Sequence, residues 1–513
     1  MREKPKYVRS QDHRQRLSRR ELLSAFGGTA ASRGLAQGAP RRDNPVVAEN
    51  QRPGTAQWQL QYTEFDYPAY WQANPMIRGL RSSAVEGFVS KTSVAAGETL
   101  EFKISTSRAV NVLIDIYRMG YYGGKGGRHL ARLGPFPSKP QPVPLMTIER
   151  LRECAWETTA TLKVPKEWLS GVYLGKITRE EPFGKQSYVI FVVKDHRPAD
   201  LLFQCSDLTW QSYNKWPGND SLYDNGLDLW SSTTQVRVSF DRPYTKYCQI
   251  LDAPLSAGSG EFLLWEYPFA YWLESEGYDV TYCSNLDLDL DAAILNSRKA
   301  FLSVGHDEYW SRRMYDHVLA ARNRGVSLGF FSGNTLCWEV QLFNSSLNNA
   351  PGRVFKRAGL FPDEQALMGL KSYGSGYGDW VVTKPTHWIY EGTGLSAGEA
   401  IPGLIGWEFH ATPAQIPGLE VVAEAPLFPP EGWDGETPGG RMTGKRHAAV
   451  VFPGPKGNWV FNAGTIWWAE GLSHPIGHIP ARHSIAGTLG PDARVQQITR
   501  NVLNRFIRDS RPA

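Results

Sequence analysis

The sequence predicts two folded parts in series, an antiparallel β-sandwich followed by a doubly wound α/β domain. Three observations carry this. From about Trp58 to Val193, short alternating or β-branched segments are broken by Gly, Pro, Asn and Ser. After His196-Arg197-Pro198 the period changes and strand–turn–helix units begin. One of these, Phe301–Val304, helix Arg312–Asn323 and strand Val326–Phe331, reads as a right-handed β-α-β crossover, which makes its strands parallel. The boundaries follow as 56–197 for the sandwich and 198–513 for the α/β domain, with 1–55 outside both.

The chain has 513 residues, enough for several domains and a large core. Hydrophobic residues are 41% and charged residues 21%, an ordinary globular balance. The net charge of +5 belongs to the N-terminus. Residues 1–42 hold 11 Lys/Arg against 3 Asp/Glu, leaving 45 against 48 for the rest. A slightly acidic body argues against nucleic acid as a partner, which needs a basic face. No apolar run nears the roughly 18 residues of a membrane span. Cys154, Cys205, Cys248, Cys283 and Cys337 show no metal-ligand spacing and an odd count. Most read as buried small hydrophobes, with one pair free to oxidise in an export compartment.

Residues 1–55 come first in chain order. Arg19–Arg20, after Ser18 and before Leu22–Leu23, resembles a Tat export signal, with small residues around Ala36-Gln37-Gly38 for cleavage. The apolar stretch is weak and Arg33 interrupts it, so a basic disordered tail is the plain alternative. The expectation is a periplasmic or secreted protein, otherwise a cytoplasmic one, and no fold for the first 55 residues.

The sandwich strands are expected at Val85–Ser90, Thr99–Thr106, Val110–Arg118, Thr158–Val164, Gly171–Thr178 and Ser187–Val193. Among them the aromatic, Gly-rich Tyr117–Gly127 reads as turn chemistry, with a ligand- or domain-facing role as the alternative. In the second domain Leu201–Cys205 is a strand. Glu266–Gly277 has a helical period and stops at Gly277, and Tyr278–Tyr282 returns to strand. In FLSVGHDEYWS, Phe301–Ser311, an apolar run ends at Gly305, five polar or aromatic residues follow, and Ser311 caps the helix that Gly325 closes. Asn458–Asn462 is a further strand and Val495–Arg508 an amphipathic helix.

Ligands bind at the carboxyl ends of strands in such sheets. Tyr213 follows Leu201–Cys205, and Tyr244 follows Gln235–Phe240. His306 and Glu308 follow Phe301–Val304, Asn334 follows Val326–Phe331, and Glu408 follows Gly403–Ile405. If these strands share one parallel sheet, all six residues meet at one edge. There is no GxSxG elbow, HExxH or CxxC. Asp307 and Glu308 are no glycosidase pair, because adjacent side chains on extended chain diverge. Two phenols, carboxylates, a His and an Asn remain. Phenolate and carboxylate are hard oxygen ligands, and phenolate suits ferric iron. The plain readings are core phenols with satisfied hydroxyls, a helix-start carboxylate and a capping Asn. Trp467–Trp468 reads as packing.

GHDEYWS, FFSGNTLCW, VSFDRPY, WQSYNKW with SLY, EYPFAYWLESEGYDV, GWEF and VFNAGT together resemble the N,N-dimethylformamidase large (beta) subunit-like family. The upstream EGFVSKTSVAAGETLEFKIST and YRMGYYGGKGG extend the resemblance over roughly residue 60 to the end. It implies a C-terminal domain similar to the flavodoxin-like fold of class I glutamine amidotransferases. It also implies a mononuclear iron, Fe3+, held by two Tyr and one Glu, with water hydrolysing a small linear amide. Carried over, the ligands are Tyr213, Tyr244 and Glu308, with Tyr223 a rival phenol. His306, Asn334 and Glu408 fall at the other site positions.

On that reading His306 or Glu408 moves a proton and Asn334 donates to the developing oxyanion, giving a carboxylic acid and an amine. The implied partners are a small amide substrate and a small subunit, or else further copies of the chain. The competing reading is a non-catalytic glycan- or polymer-binding protein that keeps the fold without the metal.

Overall fold

A computed structural model describes residues 44–66, 81–227, 231–245, 256–406, 408–427, 446–478 and 490–512. The twin arginine, the cleavage site and Cys248 lie outside these residues. Within residues 44–55, expected in a linker, a short helix forms and buries Val46 and Glu49. Asn44 caps the helix Pro45–Asn50 through bonds to Val46 N and Val47 N. Val46 is fully buried, and the Asn50 amide donates to Glu274 at 2.7 Å.

The expected strands of the first part form within a residue or two of their predicted bounds. A three-stranded sheet runs Val85–Val89, Thr99–Thr106, Ala160–Lys163. A five-stranded sheet runs Ser93–Ala95, Gln186–Lys194, Gly171–Arg179, Val110–Met119, Gly127–Ser138. Ser93–Ala95 and the long edge strand Gly127–Ser138 are additions. Side chains that alternate along a strand divide between two cores. Tyr173 and Phe191 join Phe102 and Ile104 in one. Val172, Leu174 and Ile190 join Leu201, Phe203 and Phe269 of the second part in the other.

The central sheet has seven strands, in spatial order Val280–Ser284, Ala199–Cys205, Arg298–His306, Ser327–Gly333, Trp459–Asn462, Arg446–Pro453, Glu420–Pro426. The first five are parallel, Arg446–Pro453 runs against them, and Glu420–Pro426 pairs antiparallel with Arg446–Pro453. Both faces are covered, as parallel strands require. Leu201, Phe203, Leu302 and Val304 pack on one side with the helices Tyr267–Ser275 and Ala493–Asp509. Leu202, Phe301, Leu328 and Phe330 pack on the other with the helix Arg312–Arg324. That helix has the expected ends, Ser311 accepting from Met314 N and Gly325 left-handed at φ 111°. Among the described residues no helix is long and apolar enough to cross a membrane.

Two expected placements are corrected. The strand near 235–240, Arg237–Ser239, joins a separate four-stranded sheet with Val354–Leu360, Trp338–Phe343 and Tyr309–Ser311. The Gly403–Ile405 segment, observed as Ala400–Ile405, pairs with Gly378–Val381 in a two-stranded sheet. Neither belongs to the parallel sheet. Cys337, expected in a helix, precedes the strand Trp338–Phe343, so Asn334 caps no helix. Cys154, Cys205 and Cys283 are buried free thiols, and Cys337 is buried. Trp467 and Trp468 are buried in the core.

The Tyr117–Gly127 loop faces the second part. Gly126, at φ 79°, offers its carbonyl to the Tyr267 hydroxyl at 3.3 Å, and a Cβ there would stand 2.1 Å from that hydroxyl. Arg118 and Glu274 form a fully buried pair at 2.8 Å between the same elements.

Candidate active site

Ala199–Cys205 comes first in the parallel sheet. The chain then adds Val280–Ser284 on one side of it and Arg298–His306 on the other. Connections leave Ala199–Cys205 and Arg298–His306 in opposite directions at their carboxyl ends, the position at which such sheets form a ligand crevice. The helix Asp207–Tyr213 and the residues His306–Glu308 border that position.

His306 ends its strand and is not in the turn beyond it. Gly305 before it has φ 70°, and a Cβ there would meet Trp265 Cβ at 2.6 Å and its carbonyl at 2.8 Å. Only glycine fits this close left-handed turn. Alternation then separates the next three side chains. His306 and Glu308 point into the site. Asp307 points the other way and accepts from Gln204 Nε2 at 2.6 Å and Ser303 Oγ at 2.7 Å. Asp307 is therefore a clamp across the two strands. Glu308 N donates to Thr209 Oγ1 at 2.9 Å, tying the turn to the helix.

His306, Glu308 and Glu408 are buried, with one ligand-type atom of each within 4.8 Å of the others. His306 Nε2 lies 2.8 Å from Glu408 Oε2 and 3.4 Å from Glu308 Oε2, and Nδ1 lies 3.3 Å from Glu261 Oε2. Burial opposes the imidazolium, but Glu408 and the carboxylate hydrogen bonds outweigh it and hold His306 well above its ordinary range. Burial pushes Glu408 up to about 7, against the pull of His306, with Glu308 adding to the rise and the Asn334 amide opposing it. Asn334 is buried with φ 51°, a left-handed conformation uncommon outside glycine and concentrated at functional sites. The loop is held by His410, whose Nε2 accepts from Thr335 N at 2.9 Å.

Glu408 reaches the cluster by its own route. Glu408–Ala411 pairs antiparallel with Lys371–Ser375, off the central sheet. Gly333 lets that strand approach, since a Cβ there would lie 2.4 Å from the Glu408 carbonyl.

Tyr213, at the last turn of its helix, donates to Glu308 Oε2 at 2.8 Å. Tyr223 donates to the Tyr213 hydroxyl at 2.9 Å and lies 3.2 and 3.3 Å from the two Glu308 oxygens. Burial and the Glu308 charge hold both phenols well above their ordinary range. Five of the six predicted residues, Tyr213, His306, Glu308, Asn334 and Glu408, are thus joined by contacts. Tyr244 is partly buried and, with Asp207, Trp210 and Arg242, lines a cavity of about 20 Å³. Burial raises its phenol, and the charges of Asp207 and Glu261 add to this.

Glu261 escapes a motif reading. It immediately precedes the π-helical turn Phe262–Glu266, and such turns are frequent at functional sites. No periodicity argument separates it from its neighbours. The residues fit a hard cation. Three buried carboxylates face one imidazole, and two buried phenols adjoin them, so the cluster carries surplus negative charge.

A model of a family described as N,N-dimethylformamidase beta subunit-like, C-terminal, matches residues 113–481. The match takes in every residue of the cluster. No curated protein matches the chain.

Proposed function

Because the chain belongs to the N,N-dimethylformamidase beta subunit-like family, we propose that it is a hydrolase of linear amide C–N bonds that uses a mononuclear iron(III). The parallel sheet with its switch in strand order supports a glutamine-amidotransferase-like α/β domain, and the two sheets before it, antiparallel except for the Ser93–Ala95 edge, support a sandwich. One observation carries the functional reading: His306, Glu308 and Glu408 converge with the Tyr213 phenol on one buried point at the switch in strand order. A non-catalytic glycan binder would leave this concentration of buried charge unexplained.

Glu308 and Tyr213 would hold the ion. The resemblance proposes Tyr244 as third donor, while proximity favours Tyr223, already within 3.3 Å of both Glu308 oxygens. Iron(III) there supplies Lewis acidity to the amide carbonyl and lowers the pKa of water. The His306–Glu408 pair, 2.8 Å apart, takes the proton from the attacking water and returns one to the departing amine. Asn334 donates to the carbonyl oxygen as it gains charge, an effect worth about 3 kcal/mol. Burial keeps bulk water from screening these interactions. We further propose export through the Tat-like leader.

Elemental analysis of the purified chain, followed by a screen of short linear amides, tests the reading. About one iron per chain, phenolate-to-iron visible absorption and amide hydrolysis are expected. A folded protein that is colourless, iron-free after iron is supplied, and inert to amides overturns it.

A further inference from the structure

Arg357 has no evident task in that mechanism, yet its guanidinium is fully buried on the strand Val354–Leu360. Nη1 donates to the carbonyls of Leu222 at 3.0 Å and Ser231 at 3.1 Å. Its carbon lies 4.1 Å from the ring centre of Tyr223 and 4.8 Å from that of Trp338. Among the described residues no carboxylate forms an ion pair with it. Arg118, Arg242, Arg298 and Arg357 are comparably buried, and Arg118 does have such a partner, Glu274. A buried cation needs compensation.

Nη2 shows where the compensation lies. It donates to the Tyr309 hydroxyl at 2.8 Å. Tyr309 donates to Tyr223 at 2.7 Å, Tyr223 to Tyr213 at 2.9 Å, and Tyr213 to Glu308 at 2.8 Å. A guanidinium has donors and no acceptor, while each phenol has one proton. Arg357 therefore fixes the direction of the whole chain. Tyr309 must spend its proton on Tyr223, and Tyr223 must spend its own toward Tyr213 and Glu308. A permanent positive charge stands at one end and a carboxylate at the other.

We propose that Arg357 and Tyr309 are positioning residues of the amidase site, aligning the oxygens of Tyr213 and Glu308 through Tyr223. This rests on the reading of Tyr213 and Glu308 as the residues that hold the cation. Neither Arg357 nor Tyr309 meets His306 or Glu408 in the hydrogen bonds of the cluster, so the relay supports the cation side and leaves the proton-transfer pair to other residues.

The test uses the full chain loaded with iron. Tyr309→Phe removes one hydroxyl and keeps the ring. It is expected to fold, to bind iron, and to move the phenolate-to-iron band to longer wavelength, because a donor to the phenol oxygens is lost. Release of iron to a chelator should quicken by about tenfold, the scale on which groups behind metal ligands act. Arg357→Met should do the same, whereas Arg357→Lys, which keeps the charge, should stay nearer the parent. An unchanged band and unchanged release rate in Tyr309→Phe overturn the inference, even if Arg357→Met fails to fold. A coloured parent with unchanged variants sinks this proposal alone. An iron-free, inactive parent sinks the amidase reading and the relay with it.

Discussion

Replacing Glu308 by Gln separates two roles that one carboxylate could play. The side chain keeps its shape, and its carbonyl oxygen still accepts from Tyr213, now 2.8 Å away. What changes is charge. With an effective dielectric constant of about 20, the lost attraction to the His306 imidazolium at 3.4 Å is about 5 kcal/mol. The relieved repulsion from Glu408, whose oxygen lies within 4.8 Å, is at least about 3.5 kcal/mol at pH 8, where Glu408 is ionised. Weaker hydrogen bonds from the two phenols cost about 1 kcal/mol, and the relieved desolvation of a buried charge offsets that. The metal-free variant should thus lie within about 2 kcal/mol of the parent, or a few degrees in Tm. Iron should raise the Tm of the parent and leave Glu308→Gln unmoved, since only a bound ligand stabilises. Amide hydrolysis should fall at least about a thousandfold, as expected when a metal's charge stabilisation is removed. Paired thermal melts with and without iron, with iron content and turnover, make the measurement. A variant that still gains Tm from iron and still turns over refutes the ligand assignment. A metal-free variant weaker by more than about 4 kcal/mol makes Glu308 a structural residue.

Asn334→Gly keeps a backbone that tolerates φ 51° and removes the amide. The expected result is a Tm within a few degrees of the parent and kcat lower by about a hundredfold. Gly333→Ala places a Cβ 2.4 Å from the Glu408 carbonyl and 2.6 Å from Ile466 N, both backbone atoms that cannot swing aside. It should cost about 1–3 kcal/mol in urea unfolding and displace Glu408, lowering kcat more than Asn334→Gly does at equal iron content. His447 and His478 are buried, and desolvation pushes each down to about 4 from 6.5. Between those values the unfolded chain binds protons that the native state refuses. Stability is therefore present above about pH 6.5 and is lost as pH falls toward 4, by up to about 3 kcal/mol per residue. Urea midpoints at pH 7 and pH 5 check this, and His447→Gln should shrink the difference by the share of His447 while that of His478 remains.

Much of the architecture follows from neighbours in the chain. The helix Arg312–Arg324 could be read from Ser311, a 3.6-residue period and Gly325, all within one local segment. The strands Thr99–Thr106 and Ser327–Gly333 could be read from β-branched or apolar runs of strand length. The same locality explains the errors. A run such as Arg237–Ser239 announces a strand but not its sheet, because pairing is chosen by distant partners. The edge strand Gly127–Ser138 holds two prolines and few buried side chains, so its periodic signal is faint.

The candidate site divides along the same line. Local order in the chain put His306, Glu308 and Tyr213 at one rim, because each ends or follows a parallel strand, and that rule needs only succession. The sequence points to Glu408, but by the wrong route, since it enters from an antiparallel pair; folding alone set Glu261 behind His306 and chose Tyr223 as the phenol on Glu308. It also set Arg357 at the end of the phenol chain. Charge compensation in a buried space depends on what lies within a few ångströms, and residues about fifty to a hundred positions apart have no signature of that until the chain is closed.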